Sequence, residues 1–174
     1  MKKIFLFLFL SISLFINCFS QKNELKFNIA SAIGGFPELN YERLVDDNIT
    51  FGTAVAASIE NAEKMDSRFS IMPYSRLYFG KKKANGFFVE ANMAIRNQRD
   101  LHYNNIYDSA FNIIGIAKYD KHSTNLGFGA AIGVKLLTKK AAFAELFAGA
   151  GRLFGSSPVK EAYFRGGVSI GMRF

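Results

Sequence analysis

From residue 24 onward, large apolar residues alternate with small or polar ones at the two-residue period of a β-strand. A first strand sets Leu25, Phe27 and Ile29 against Lys26, Asn28 and Ala30, and Gly34 to Pro37 turns the chain. A second sets Leu39, Tyr41 and Arg43 against Asn40 and Glu42, ahead of a tight turn at Val45 to Asn48. The third shows Ile49, Phe51, Val55 and Ile59 on one face, the fourth Phe69, Ile71, Leu77 and Phe79. The lysine-rich segment Gly80 to Gly86 leads to a fifth strand with Phe87, Val89, Met93 and Ile95 opposite Glu90, Asn92 and Arg96. Residues 99–123, rich in Asn, Asp and Tyr, read as a long loop. A sixth strand alternates Leu126, Phe128, Ile132 and Val134 with glycines and Lys135. The seventh opposes Ala144 and Leu146 to Glu145, and the eighth opposes Phe164, Val168, Ile170, Met172 and Phe174 to Arg165, Ser169 and Arg173.

Eight strands of about ten residues match the length of a tilted strand crossing a bilayer. The connections after strands two, four and six are compact, whereas most of the others are longer. This predicts an all-β, eight-stranded antiparallel up-and-down barrel with both termini at the short-turn end. Membrane and soluble barrels differ in which face is polar. In lipid the sheet must close on itself and turn its apolar face outward; a soluble barrel does the reverse. Here the polar face carries charges in mid-strand. Taken strand by strand it runs Lys26, Glu42, Thr50, Arg76, Glu90, Lys135, Glu145, Arg173, and apart from Thr50 the signs alternate. Arg165 joins the same face. Charges in a narrow lumen need partners, and such a ring supplies them. The expectation is an ion-pair plug of Lys26, Glu42, Arg76, Glu90, Lys135, Glu145 and Arg165. A proton or ion path is the alternative use of the same residues. An open pore needs about sixteen strands, so a general porin is not expected.

The N-terminus sets the compartment. Lys2 and Lys3 precede an apolar run from Ile4 to Ile16, and Cys18 and Ser20 place small residues before Gln21. This is the layout of a secretory signal peptide, 1–20, leaving 21–174 as one barrel domain. A lipoprotein reading would keep Cys18 as an acylated residue, but Asn17 fits that signal poorly. The chain carries a net charge of +8, and removing Lys2 and Lys3 still leaves an excess over its 14 acidic residues. An exported protein rarely meets nucleic acid, so the expected counter-charges are lipid phosphates and internal carboxylates. No long uncharged apolar run follows residue 20, which excludes a helical membrane protein. Cleavage after Ser20 would leave no cysteine, hence no disulfide or thiolate-bound metal. No cofactor or metal is expected.

The chain resembles the small eight-stranded outer-membrane barrels, the OmpX/OmpA-like families. Asn40 to Leu44, Pro73 to Gly80 and Gly86 to Glu90 look like segments of the "outer membrane protein beta-barrel" domain. Gly171-Met172-Arg173-Phe174 resembles the terminal aromatic signal read by the barrel-assembly machinery, with Met172 where an aromatic is common. The resemblance implies the outer membrane of a Gram-negative cell, with periplasmic termini, and little chemistry.

Three local features bear on function. Gly127-Phe128-Gly129 with Gly133 has a dinucleotide-loop look but alternates straight through a strand, so small lumen residues are expected instead. His122-Ser123-Thr124-Asn125 resembles the His-x-Ser-Asn stretch of outer-membrane lipid A deacylases, with Thr124 in place of the serine. An esterase would need His122 and Thr124 beside an orienting carboxylate, and Glu145 is expected roughly 20 Å lower in the barrel. A loop histidine is the plainer reading. Segment 99–123 carries Tyr103, Tyr107, Phe111 and Tyr119, contact residues suited to an extracellular protein or glycan. Lys64, Arg68, Arg99, Lys118, Lys121, Arg152 and Lys160 are expected near the lipopolysaccharide phosphates. The whole reads as a monomeric, non-enzymatic barrel acting through its loops.

Overall fold

The computed structural model describes residues 22–59, 67–107, 113–154 and 162–174. The expected signal peptide, Phe111, Lys64 and Lys160 lie outside the described residues. Eight strands form one closed antiparallel barrel in sequence order: β1 (Asn23–Asn28), β2 (Glu38–Leu44), β3 (Ile49–Ala57), β4 (Ser67–Tyr78), β5 (Gly86–Tyr107), β6 (Ile113–Leu137), β7 (Ala142–Phe154) and β8 (Ala162–Arg173). Closure is made by β1 against β8, where Asn23 and Phe174 exchange both backbone hydrogen bonds at 2.9 and 2.8 Å. No sheet edge is left along the closed part of the wall.

The alternation sorts the faces. Leu25, Phe27, Leu39, Phe51, Leu77, Val89, Phe128, Ile132, Leu146 and Ile170 point outward and are exposed. Their neighbours Lys26, Asn40, Glu42, Thr50, Arg76, Glu90, Lys135, Glu145 and Ser169 point inward and are buried. A belt of Leu, Ile, Val and Phe facing outward around a charged interior is the inverse of a soluble barrel.

Two elements differ from the alternation. Ile29 does not continue β1. The side chain of Asn28 accepts a hydrogen bond from the Ser31 N–H at 3.2 Å and starts a short helix, α1 (Ile29–Ile33). The helix ends in a Schellman arrangement: Phe36 N–H donates to Ser31 and Gly35 N–H to Ala32. Gly35 takes φ +80°, open to glycine at little cost. The second difference is the segment read as a loop. Residues 99–107 continue β5 and 113–123 continue β6, paired in one register from Arg99↔His122 to Ile106↔Gly115, with an irregularity before Tyr107↔Ile113. Among the described residues β4 pairs only as far as Gln98 of β5 and β7 only as far as Leu126 of β6, so there the extension is a two-stranded ribbon beyond the wall. Tyr, Ile and Leu along it favour extended backbone, which outweighed the Asn and Asp content.

At the opposite end the short turns close over the lumen. Ala84 N–H donates to the Asp47 carbonyl at 2.7 Å, tying the β4–β5 turn to the β2–β3 turn. Arg173 donates to the carbonyls of Lys83 (3.0 Å) and Ala84 (2.9 Å) from inside. Ala84 is fully buried, and with Leu44, Tyr78, Phe88 and Phe147 it forms an apolar floor.

Candidate functional site: the lumen charge network

The period-2 pleat delivers one inward side chain from every second residue of each strand, so charges distant in sequence meet in the lumen. Glu42 on β2 is the hub. It makes ion pairs with Lys26, with Arg76 (3.2 Å) and with Lys135 (3.2 Å), and it accepts hydrogen bonds from Tyr74 (3.0 Å) and Tyr78 (2.9 Å). Glu145, on β7, is bound by Lys26 (2.9 Å), Arg76 (2.9 Å) and Lys135 (3.1 Å). Arg76 in turn reaches Glu90 at 2.8 Å, and Glu90 also holds Arg165. Lys135 continues to Glu24 (2.6 Å), which is held by Arg173 (2.6 Å). All seven residues of the expected plug thus lie in one connected network with Glu24 and Arg173. Thr50 sits inside it, buried and without a hydrogen-bond partner for its hydroxyl.

Some partners differ from those the neighbouring strands suggest. Lys135 lies opposite Gly86 in the β5–β6 register, four residues below the Glu90 pair, and binds Glu24, Glu42 and Glu145 instead. The second cation on Glu90 is Arg165, which reaches it across the lumen. Glu24 is the network residue that reading the alternation left unused, although it shares the parity of Lys26.

Aromatic rings fill what the ions leave. The Arg76 guanidinium lies 4.2 Å from the Phe88 ring centre and 4.7 Å from that of Tyr74, while Lys135 sits 4.6 Å from that of Tyr78. Glycines on the facing strands leave room for these rings. A Cβ on Gly129 would come within 2.6 Å of the Tyr163 hydroxyl, and one on Gly133 within 2.7 Å of Phe147 Cβ. The glycines of β6 are therefore packing positions, and the strand runs straight through them.

Three carboxylates, Glu24, Glu42 and Glu145, bring oxygens close enough to share one cation. The Lys135 ammonium already occupies that position, within 3.2 Å of all three, so the donors are committed to a side chain of the chain itself. The esterase reading finds no carboxylate near its histidine in Glu145. That residue lies opposite Lys135, thirteen positions along β6 from His122, about 43 Å at the rise of a strand. Thr124 is exposed and accepts a hydrogen bond from Asn97 at 3.3 Å.

No protein-family model matches the chain, and no curated protein matches it by sequence. Among solved structures it is similar to the crystal structure of the N-terminal β-barrel domain of Pseudomonas aeruginosa OprF, at 14% identity and a TM-score of 0.52 over 88% of this chain and 96% of that one. The likeness is one of fold: this chain is an eight-stranded antiparallel up-and-down β-barrel of the kind seen in that domain.

Proposed function

We propose that the chain is an integral outer-membrane barrel of a Gram-negative cell, of the OmpX/OmpA-like kind, with a sealed lumen and a non-enzymatic role of contact through its long hairpin. The observation that carries this reading is the inversion of polarity: an apolar outer belt around a buried, fully connected set of ion pairs. Lipid is the solvent that suits such a belt, and a closed sheet is the form in which strands can enter it. In this reading the chain ends and short turns face the periplasm, the ribbon of residues 99–107 and 113–123 projects outside, and its partner is an extracellular protein or glycan. Basic residues toward the ribbon end, such as Arg68 and Arg152, suit lipopolysaccharide phosphates. The protein works as a monomer without cofactor or metal.

Planar-bilayer recording tests the sealed lumen. The folded protein is expected to give no steady conductance above the bare bilayer, and sustained single-channel steps would favour the ion-path alternative. Phe174 tests biogenesis. It supplies the last closing backbone pair with Asn23, so its deletion removes the terminal aromatic offered to the assembly machinery and shortens the β1–β8 closure by one pair. Surface levels should fall far more than on deletion of Asn105 from the ribbon; equal levels for the two variants would contradict the role given to Phe174.

A further inference from the structure

At the ribbon end the barrel wall has a seam. β1 leaves the sheet at Asn28, which lies opposite Ser169 on one side and Glu38 on the other. Beyond that point Arg165, Gly166 and Gly167 of β8 pair with β7 alone. Helix α1 packs against β8 over this gap, and Asn28 Nδ2 donates to the Gly166 carbonyl at 3.3 Å. Behind the helix is a chamber of about 340 Å³ whose polar lining is Ser31, Glu38, Ser70, Arg96 and Arg165.

Ser31 and Glu38 have partners there, but three donors of the lining do not. Ser70 Oγ, Arg96 Nε and Arg165 Nη1 are buried atoms without a hydrogen-bond partner, and Ser70 and Arg165 are each only 3% exposed. Groups of this kind are uncommon in folded proteins and call for a cause. Arg165 spends its other nitrogens on Glu90, and Nη1 meets only the Glu38 carboxylate at 3.6 Å. Arg96 lies over the Tyr163 ring at 5.0 Å and makes one long contact, 3.5 Å, with the Phe164 carbonyl. Among the described lumen residues, Lys26, Arg76, Lys135, Arg165 and Arg173 are matched by Glu24, Glu38, Glu42, Glu90 and Glu145. Arg96 is the cation left over, and it stands at the chamber.

We propose that this chamber binds one oxyanion group, a carboxylate or a phosphate, through Arg96, Arg165 and the Ser70 hydroxyl. One negative charge there balances the lumen and supplies acceptors to three idle donors, as charge-assisted hydrogen bonds. The anion has two routes in: from solution at the mouth, or from a lipid headgroup at the seam beneath α1. Neither route depends on which end of the barrel faces outward.

The test uses the full chain folded in detergent micelles, with backbone amides followed by NMR. Titration with inorganic phosphate or acetate should shift Ser70, Arg96, Gly166 and Gly167 saturably, while sodium chloride of equal ionic strength should not. Arg96→Gln should weaken the site about tenfold, the loss of a charge-assisted contact. Ser70→Ala, which keeps every charge, should weaken it by a smaller factor and guards against misfolding of the first variant. A second arm places the protein in phosphatidylcholine nanodiscs with or without phosphatidic acid. The same shifts on adding phosphatidic acid assign the site to a headgroup phosphate; shifts with the soluble anions alone assign it to a solute. No saturable shift in either arm overturns the site, as does unchanged affinity in both variants.

Discussion

Glu42→Leu should destabilise the folded barrel by about 3–5 kcal/mol, the cost of leaving buried charges without their partner. Glu42 is fully buried and serves Lys26, Arg76, Lys135, Tyr74 and Tyr78 at once. Its removal leaves three cations to share Glu145, Glu90 and Glu24 in a space too narrow for bulk water. Glu42→Gln should cost less, because the amide oxygen still accepts from one of the donors. The pairing itself is tested by the double variant Glu42→Leu/Lys135→Met, which removes one charge of each sign. It should be less destabilised than the sum of its single variants, since contacting residues in one network are not additive. Reversible urea unfolding in lipid vesicles measures all four. A Glu42→Leu barrel within about 0.5 kcal/mol of the parent would mean that the network contributes nothing to stability.

The outer face carries the second large effect. Ile132 points outward from β6, 56% exposed, paired with Val89 on one side and Ala148 on the other. Ile132→Arg should cost about 2–4 kcal/mol if that position lies near the bilayer midplane, and less towards an interface. Ile132→Leu should be nearly silent, as should Val89→Leu. A silent Ile132→Arg would argue that water, not lipid, meets this face.

Much of this arrangement is legible along the chain, because inside and outside follow from parity alone. Once Leu25 and Phe27 face out, Lys26 and Asn28 must face in, and the same holds down to Arg173. Parity also marks Glu24 as a lumen residue. Contacts across the lumen are not legible. The tilt and stagger of the strands decide that Arg165, not Lys135, meets Glu90, and a strand-by-strand reading has no measure of stagger. Local capping overrode alternation at Ile29: Asn28 and the Gly34-Gly35 pair are helix-boundary signals, yet Leu25, Phe27 and Ile29 continue the strand period without a break. The ribbon was hidden by the opposite conflict, a polar composition over residues that nonetheless pair. The chamber beneath α1 depends on β1 ending early, so it could be seen only once that helix was known.

The central claim is that lipid covers the face opposite the charges, and fluorescence can test it directly because the chain contains no tryptophan. A single tryptophan at Ile132 (Ile132→Trp) reports the outer face, and one at Phe88 (Phe88→Trp), buried against Tyr78 at 5.2 Å between ring centres, reports the lumen. Both variants are folded into vesicles whose acyl chains carry bromine, a contact quencher. The expected result is strong quenching of Ile132→Trp and little quenching of Phe88→Trp. Equal quenching at both positions, or none at Ile132→Trp in a folded protein that stays in solution without lipid, would contradict the account.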